Sequence, residues 1–299
     1  MCGIAGVVPQ KGIGVKSEDI KKLLLDIESR GKDATGIYVG GANPRIIKST
    51  VTASEFIKDE RVDRFIAELE NPANCGPIFM HTRASTGSCS DDNDNNHPFY
   101  VGDYVIVHNG WVSNEFPKEL GDTDSIWFAY ALNQYAEEDV LRCALGTFAL
   151  AWANTKKPNE MFLAVDERYE RNIYLHQGDD AIWFTQKNTQ GYDVLAHNCY
   201  YRIVQGDIVE IERFPVNPYL SVDIRSVLSE ANYLTEEQKL ELVRQLEGYR
   251  EEEISNEKVR VVNKAAGASH KYGQYSAKGG DDKHGTGFNY LSSNGFDNW

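Results

Sequence analysis

From Cys2 to Ile211 the apolar residues of this chain fall in short runs broken by glycine, proline and acidic turns, and only two stretches carry helical spacing. Many short strands with few helices predict an α+β fold built on antiparallel sheet. The run 2–9 ends at Pro9 and reads as a buried first strand. Further strands are predicted at Gly36–Gly40, Ile46–Thr52, Pro77–His81, Tyr104–His108, Thr147–Asn154, Met161–Asp166, Ile173–His176, Ala181–Thr185 and Arg202–Ile211. One helix is predicted to open on Ser17 as its N-cap, to bury Ile20, Leu23, Leu24 and Ile27, and to stop at Gly31. A second is predicted over Asp124–Gln134.

The pattern changes after residue 215. Thr235 to Gln238 form a capping box before an amphipathic helix with Leu242, Leu246 and Tyr249 on one face, so 216–262 is expected to be a helical extension. Residues 263–299 are rich in Gly, Ser, Lys and Asp and are expected to be a disordered tail. Its aromatics, Tyr272 and Trp299 among them, would suit docking on this domain or on a partner.

Charge narrows the function classes. Against 31 basic side chains stand 45 acidic ones, a net charge of −14, which excludes nucleic acid and anionic membrane as bulk electrostatic partners. No apolar run approaches the roughly 20 residues of a bilayer span, and the N-terminus lacks a basic leader, so a cytoplasmic protein is expected. Cysteines at 2, 75, 89, 143 and 199 fit neither a disulfide framework nor a zinc site. His81, His97 and His108 have no metal-site spacing, and the acidic run Asp91–Asn96 lacks the glycine and closing glutamate of a calcium loop. No metal and no cofactor are expected.

Cys2 stands apart from the other thiols. Methionine aminopeptidase trims Met before small side chains, leaving a thiol and a free α-amine on one residue. An α-amine with a pKa of about 7.7–8.0 can serve as base for a thiol near 8.5. Such a residue can attack an amide, release ammonia and leave a thioester for water to hydrolyse.

Several separated motifs then follow in a definite order. They are MCGIAGVV at the start, Ser29-Arg30-Gly31-Lys32-Asp33-Ala34-Thr35-Gly36, His81-Thr82-Arg83-Ala84-Ser85-Thr86-Gly87, Asn96-His97-Pro98-Phe99, Val107-His108-Asn109-Gly110, Gly121-Asp122-Thr123-Asp124-Ser125, Gly146-Thr147-Phe148-Ala149 and Val204-Gln205-Gly206-Asp207-Ile208. In this order the series resembles the class II glutamine amidotransferases over roughly residues 2–214. The resemblance implies a domain of 2–215 with the N-terminal nucleophile hydrolase fold, an αββα sandwich of two antiparallel sheets. It also implies a cofactor-free glutaminase with Cys2 as nucleophile and L-glutamine as substrate.

By the same resemblance, Asn109 and Gly110 form the oxyanion hole, through a side-chain amide and a backbone N–H. Arg83 offers a planar fork for the substrate carboxylate, Thr86 helps orient it, and Asp124 accepts from the substrate ammonium. Arg30 and Asp33 would brace the Cys2 loop and its amine. Each has a plainer reading as well. Asn-Gly between strands is a hairpin signal, Asp124 suits a helix N-cap, and Gly31 suits a helix C-cap.

The sequence departs from the family pattern at three positions. Ala84 and Gly87 replace the Trp and His of the sugar-amidating branch, and Gln186 stands where a small or acidic residue is usual. The stretch after 215 is too short for the synthase domain that normally consumes the ammonia, and no phosphate-binding P-loop or SGGxDS loop occurs. A separate ammonia-accepting synthase is therefore expected as partner. Two other readings remain open: an amidase of the same fold for another amide, and a non-enzymatic interaction protein that reuses the fold.

Overall fold

The structure is a computed structural model that describes residues 2–85, 89, 91–166, 171–214 and the short segment 289–292. Its strands are β1 (Gly3–Pro9), β2 (Ala34–Val39), β3 (Arg45–Ser49), β4 (Ile78–Arg83), β5 (Phe99–Val101), β6 (Tyr104–Val112), β7 (Gly146–Asn154), β8 (Glu160–Val165), β9 (Tyr174–Gln177), β10 (Ala181–Thr185), β11 (Asp193–Val194), β12 (Cys199–Val204), β13 (Asp207–Arg213) and β14 (Asn289–Ser292). The helices are α1 (Ser17–Glu28), α2 (Ala53–Phe56), α3 (Glu60–Ala67), α4 (Ile126–Leu132) and α5 (Glu137–Cys143).

Two antiparallel sheets result. One runs β11-β9-β10-β1-β4-β2-β3-β14 and the other β13-β12-β8-β7-β6-β5. Between them lies a core of Ile4, Val8, Tyr38 and Phe79 from the first sheet and Val105, Val107, Ala151 and Leu163 from the second. On its outer face the first sheet packs Ala5, Val7, Ile37 and Met80 against Ile20, Leu24 and Ile27 of α1 and Val62 and Phe65 of α3. The second sheet packs Ile106, Phe148, Leu150 and Trp152 against Trp127 and Phe128 of α4 and Val140 and Leu141 of α5. Four layers in the order αββα follow from strands that are buried on both faces, so these strands read as continuous apolar runs rather than alternating ones. β1 shows it best, with every residue buried. Among the described residues no helix is long and apolar enough to cross a membrane.

Several local expectations need correction. Ser17 is the first residue of α1, with Lys16 at the cap position, and the Ser17 backbone N–H donates to the Glu70 carboxylate at 3.1 Å. Gly31 is not a left-handed helix cap; it is small because a Cβ there would lie 2.4 Å from the Arg83 carbonyl carbon. The single strand predicted over Arg202–Ile211 is a hairpin, β12 and β13, turning on Gln205 (φ 50°) and Gly206 (φ 82°). Asn109-Gly110 is not a turn, because β6 runs straight through it and pairs Asn109 with Ala149 and Gly110 with Phe148.

Thr52, placed at the end of a strand, caps α2 in a reciprocal box with Glu55. The acidic run lies at the surface through its three aspartates, Asp91, Asp92 and Asp94; Asp92 caps a short 3-10 turn over Asn93–Asn95, and Asn95 and Asn96 are buried. The proposed helix within 216–262 lies outside the described residues. Within the expected disordered tail, Asn289–Ser292 is instead a strand, paired in register with Lys48 to Arg45 along the edge of β3.

Candidate active site around Cys2

Cys2 immediately precedes β1, a strand flanked in its sheet by β10 and β4. Pairing of Gly3 with Thr82 lays the chain start against the end of β4. The Ala84 N–H donates to Cys2 Sγ at 3.4 Å, and the thiol reaches the Ala84 carbonyl at 3.7 Å. Burial pushes the Cys2 thiol above its ordinary pKa, against the opposing pull of the Ala84 N–H and the Arg83 and Arg30 charges. A thiol raised in this way stays protonated at neutral pH and needs a base beside it to react.

The Cys2 carbonyl is held from two layers at once. Arg30 Nε, from the turn after α1, donates to it at 2.9 Å, and Asn109 Nδ2, from β6 of the other sheet, donates at 3.0 Å. Asn109 Nδ2 also donates to Gln186 Oε1 at 2.9 Å. Gln186 follows β10; its own backbone N–H bonds to Ile4, and its side-chain amide donates to the Arg171 carbonyl at 2.9 Å. The sequence marks Gln186 only as a departure from a pattern, yet it touches the residue expected to hold the oxyanion. Gly110 has no room for a side chain, since a Cβ would meet the Thr147 carbonyl oxygen at 1.9 Å and His108 Nε2 at 2.6 Å.

Arg83 is buried at the end of β4. Its Nη1 donates to Asn96 Oδ1 at 2.6 Å and to the Cys89 carbonyl at 3.3 Å, and its Nη2 to Ser85 Oγ at 3.4 Å. Burial lowers its pKa, while Cys2, Asp33, Cys89 and Asp124 act in the other direction; the carboxylate of Asp124 is thus within electrostatic reach of the fork. Asp124 itself accepts from the Val112 and Ser125 N–H groups at 2.8 and 2.9 Å, tying the end of β6 to the head of α4. The N-cap position of α4 is Ser125 and not Asp124, and a carboxylate with about four lone-pair sites keeps capacity for a further donor.

The Asp33 carboxylate accepts from the Ser85 N–H at 2.7 Å and its N–H bonds to the Arg83 carbonyl, so it braces the segment after β4 that carries Ala84 against Cys2. Thr86 and Gly87 lie outside the described residues.

The three histidines are structural links between motifs. All are buried, and burial holds His81 down to about 3 and lowers His97 and His108 as well, so they are neutral. His81 Nε2 donates to the His108 carbonyl at 3.2 Å, and His108 Nε2 to the Thr147 carbonyl at 3.3 Å, leaving Nδ1 to accept from Ser125 Oγ at 2.9 Å. The rings of His81 and His97 lie 4.0 Å apart. Among the described residues no three His, Cys, Asp or Glu side chains converge as a metal site.

No family model matches the sequence. The chain is 27% identical over 243 residues to a glutamine–fructose-6-phosphate aminotransferase (isomerizing) of Streptococcus pneumoniae, a match covering 73% of this chain and 38% of that protein. It is 30% identical over 185 residues to the protein of the same description from Pyrococcus horikoshii, covering 55% of this chain and 29% of that one. It therefore spans well under half the length of these relatives. Among solved structures it resembles the glutamine phosphoribosylpyrophosphate amidotransferase of B. subtilis, with a TM-score of 0.55, 16% identity, and coverage of 72% of this chain and 50% of that one. The shared fold is the αββα sandwich of N-terminal nucleophile hydrolases.

Proposed function

We propose that this chain, similar to glutamine-dependent aminotransferases and folded as an N-terminal nucleophile hydrolase, is a class II glutamine amidotransferase that hydrolyses L-glutamine to L-glutamate and ammonia. The observation that carries this reading is the position of Cys2. Its carbonyl is clamped by Arg30 from the turn after α1 and by Asn109 from β6, and its sulfur sits on the Ala84 N–H, one residue from the Arg83 fork.

With Met1 removed, the freed α-amine takes the thiol proton as Sγ attacks the side-chain amide carbon of glutamine. Asn109 Nδ2 exchanges its bond to the Cys2 carbonyl for one to the developing oxyanion, alongside the Gly110 N–H. Collapse of the tetrahedral intermediate passes the proton to the amide nitrogen, which leaves as ammonia. Water then attacks the thioester, releasing glutamate and the free thiol. Arg83 takes the substrate carboxylate, Thr86 orients it, and Asp124 takes the ammonium; a head group read by both selects a free amino acid over an N-acylated amide.

Ammonia released here would pass to a separate synthase. The test of the hydrolase is intact mass before and after diazo-oxo-norleucine, a glutamine-like electrophile. Loss of Met1 with one adduct on Cys2 is expected; a retained Met1 or an unmodified Cys2 at high reagent overturns the reading. For the acceptor, a partner that co-purifies and consumes the ammonia is expected, and glutaminase turnover that no co-purifying protein alters would exclude it.

A further inference from the structure

Lys48 is an ionisable group buried where its neighbours are core. On β3 it shares a face with Ile46, the face turned to the second sheet, and it pairs across the ladder with Gly36 of β2. Only 6% of Lys48 is exposed, and among the described residues no carboxylate forms an ion pair with it. A cation in such a place is costly unless its donors are used.

They are used on one short segment. Lys48 Nζ donates to the Asn96 carbonyl at 2.7 Å and to the Pro98 carbonyl at 3.4 Å, and lies 5.5 Å from the centroid of the Phe99 ring. In return Asn93 Nδ2 donates to the Lys48 carbonyl at 3.0 Å. The segment can cross the sheet here because Gly36 leaves the space: a Cβ at 36 would lie 2.1 Å from the His97 carbonyl oxygen. Asn96, fixed through its backbone, presents Oδ1 to Arg83 Nη1 at 2.6 Å. Burial holds Lys48 down to about 8, so it carries its charge for most molecules at neutral pH.

We propose that Lys48 is a positioning residue for the substrate's carboxylate: it sets the height of Asn96 over the sheet, and Asn96 aims the Arg83 fork. An apolar side chain would fill the same space, but it would leave both carbonyls without this donor and Asn96, which the fork meets at 2.6 Å, without its support from below. This inference rests on the glutaminase reading and deepens it, because it assigns the carboxylate end of the site a support that lies on a different strand.

Two alkylating reagents separate positioning from general damage at Cys2. Diazo-oxo-norleucine carries the amino-acid head group and needs Arg83, whereas iodoacetamide needs only the thiol. In Lys48→Met the rate with diazo-oxo-norleucine is expected to fall about tenfold or more, with the iodoacetamide rate held within about twofold. KM for glutamine should rise about tenfold and kcat should change by less than about threefold, the pattern of lost substrate binding. Should Lys48→Met fail to fold, Asn96→Ala removes the acceptor while leaving the lysine, and the same loss of discrimination is expected there. A wild-type ratio of the two rates in the variant that folds overturns the proposal, as does a parallel fall of both. If wild-type Cys2 reacts with iodoacetamide but never with diazo-oxo-norleucine, the glutaminase reading itself falls and takes this inference with it. A wild-type chain that takes the adduct, with the ratio unmoved in Lys48→Met, keeps the enzyme and removes only the lysine.

Discussion

The two ends of the candidate site are built by different means. At the thiol end, backbone groups of neighbouring strands and two long side chains converge directly on Cys2: the Ala84 N–H on its sulfur, Arg30 and Asn109 on its carbonyl. At the head-group end, Arg83 is aimed by a chain of contacts, from Lys48 to the Asn96 backbone and from the Asn96 side chain to the fork. The first arrangement inherits its precision from the pairing of β1 with β4. The second depends on a loop lying at the right height over the sheet. Disturbing the thiol end should therefore show in kcat, and disturbing the head-group end in KM.

Cys2→Ala is the largest break, since it removes the nucleophile while leaving the described layers intact; no glutamine turnover above background is expected in an ammonia-release assay. Asn109→Ala comes next. Removing one oxyanion donor typically costs ~10²–10³ in kcat, and KM should barely move because Asn109 does not touch the head group in the proposed reaction. A rise in KM with kcat intact would place Asn109 at the other end of the site and undo the contrast.

The same contrast explains what was legible in the sequence. The thiol end was readable because its residues sit in motifs whose spacing is tied to strand pairing: Cys2 before β1, Arg30 after α1, Asn109 within β6. Even there, Asn109-Gly110 carries the local signal of a hairpin, and only the β6–β7 register shows that tertiary pairing overrides it. The two-sided burial of β1 was legible as a continuous apolar run, whereas α3, short and charged on its outer side, had no comparably long periodic pattern. Lys48 was not legible. A lone lysine in a strand normally points to solvent, and nothing local records that another loop crosses above it. Asp33 was assigned to Cys2 by motif, while its contact with Ser85 depends on where the segment after β4 turns.

A buried cation also leaves a mark on stability. Lys48 is lowered from 10.5 to about 8 by burial, with Asp94 and Asp92 favouring its charge and Arg83 opposing it. In the unfolded chain the same group holds its proton up to the higher value. Between those two values the unfolded state therefore binds more protons, and stability rises with pH across the window. Below it, the charged lysine costs the fold up to about 3 kcal/mol. The difference in unfolding free energy between wild type and Lys48→Met should accordingly shift in favour of wild type as pH climbs from 8 toward 10.5. Denaturant melts at a series of pH values measure it, and a pH-independent difference would mean the lysine is not held down in the fold. That result would weaken the case that the head-group end is built at a cost in stability.

Gln186 tests whether the thiol end is as direct as it looks. Its Oε1 takes one Asn109 amide hydrogen at 2.9 Å while its Nε2 is fixed on the Arg171 carbonyl. Asn109 is thereby oriented with nitrogen toward Cys2 rather than oxygen, which is the orientation an oxyanion donor requires. Gln186→Ala frees the Asn109 amide to rotate and leaves the nucleophile untouched, so kcat should fall about tenfold, near 1.4 kcal/mol of transition-state stabilisation, with KM unchanged. Gln186→Glu keeps an acceptor at the same reach and should recover most of that loss, although its second oxygen can no longer donate to Arg171. Were both variants to match wild type in kcat, the Asn109 amide would be held by Cys2 alone, and the thiol end would be even more sharply distinct from the relayed end at Arg83. A rise in KM instead would mean that the two ends share a support.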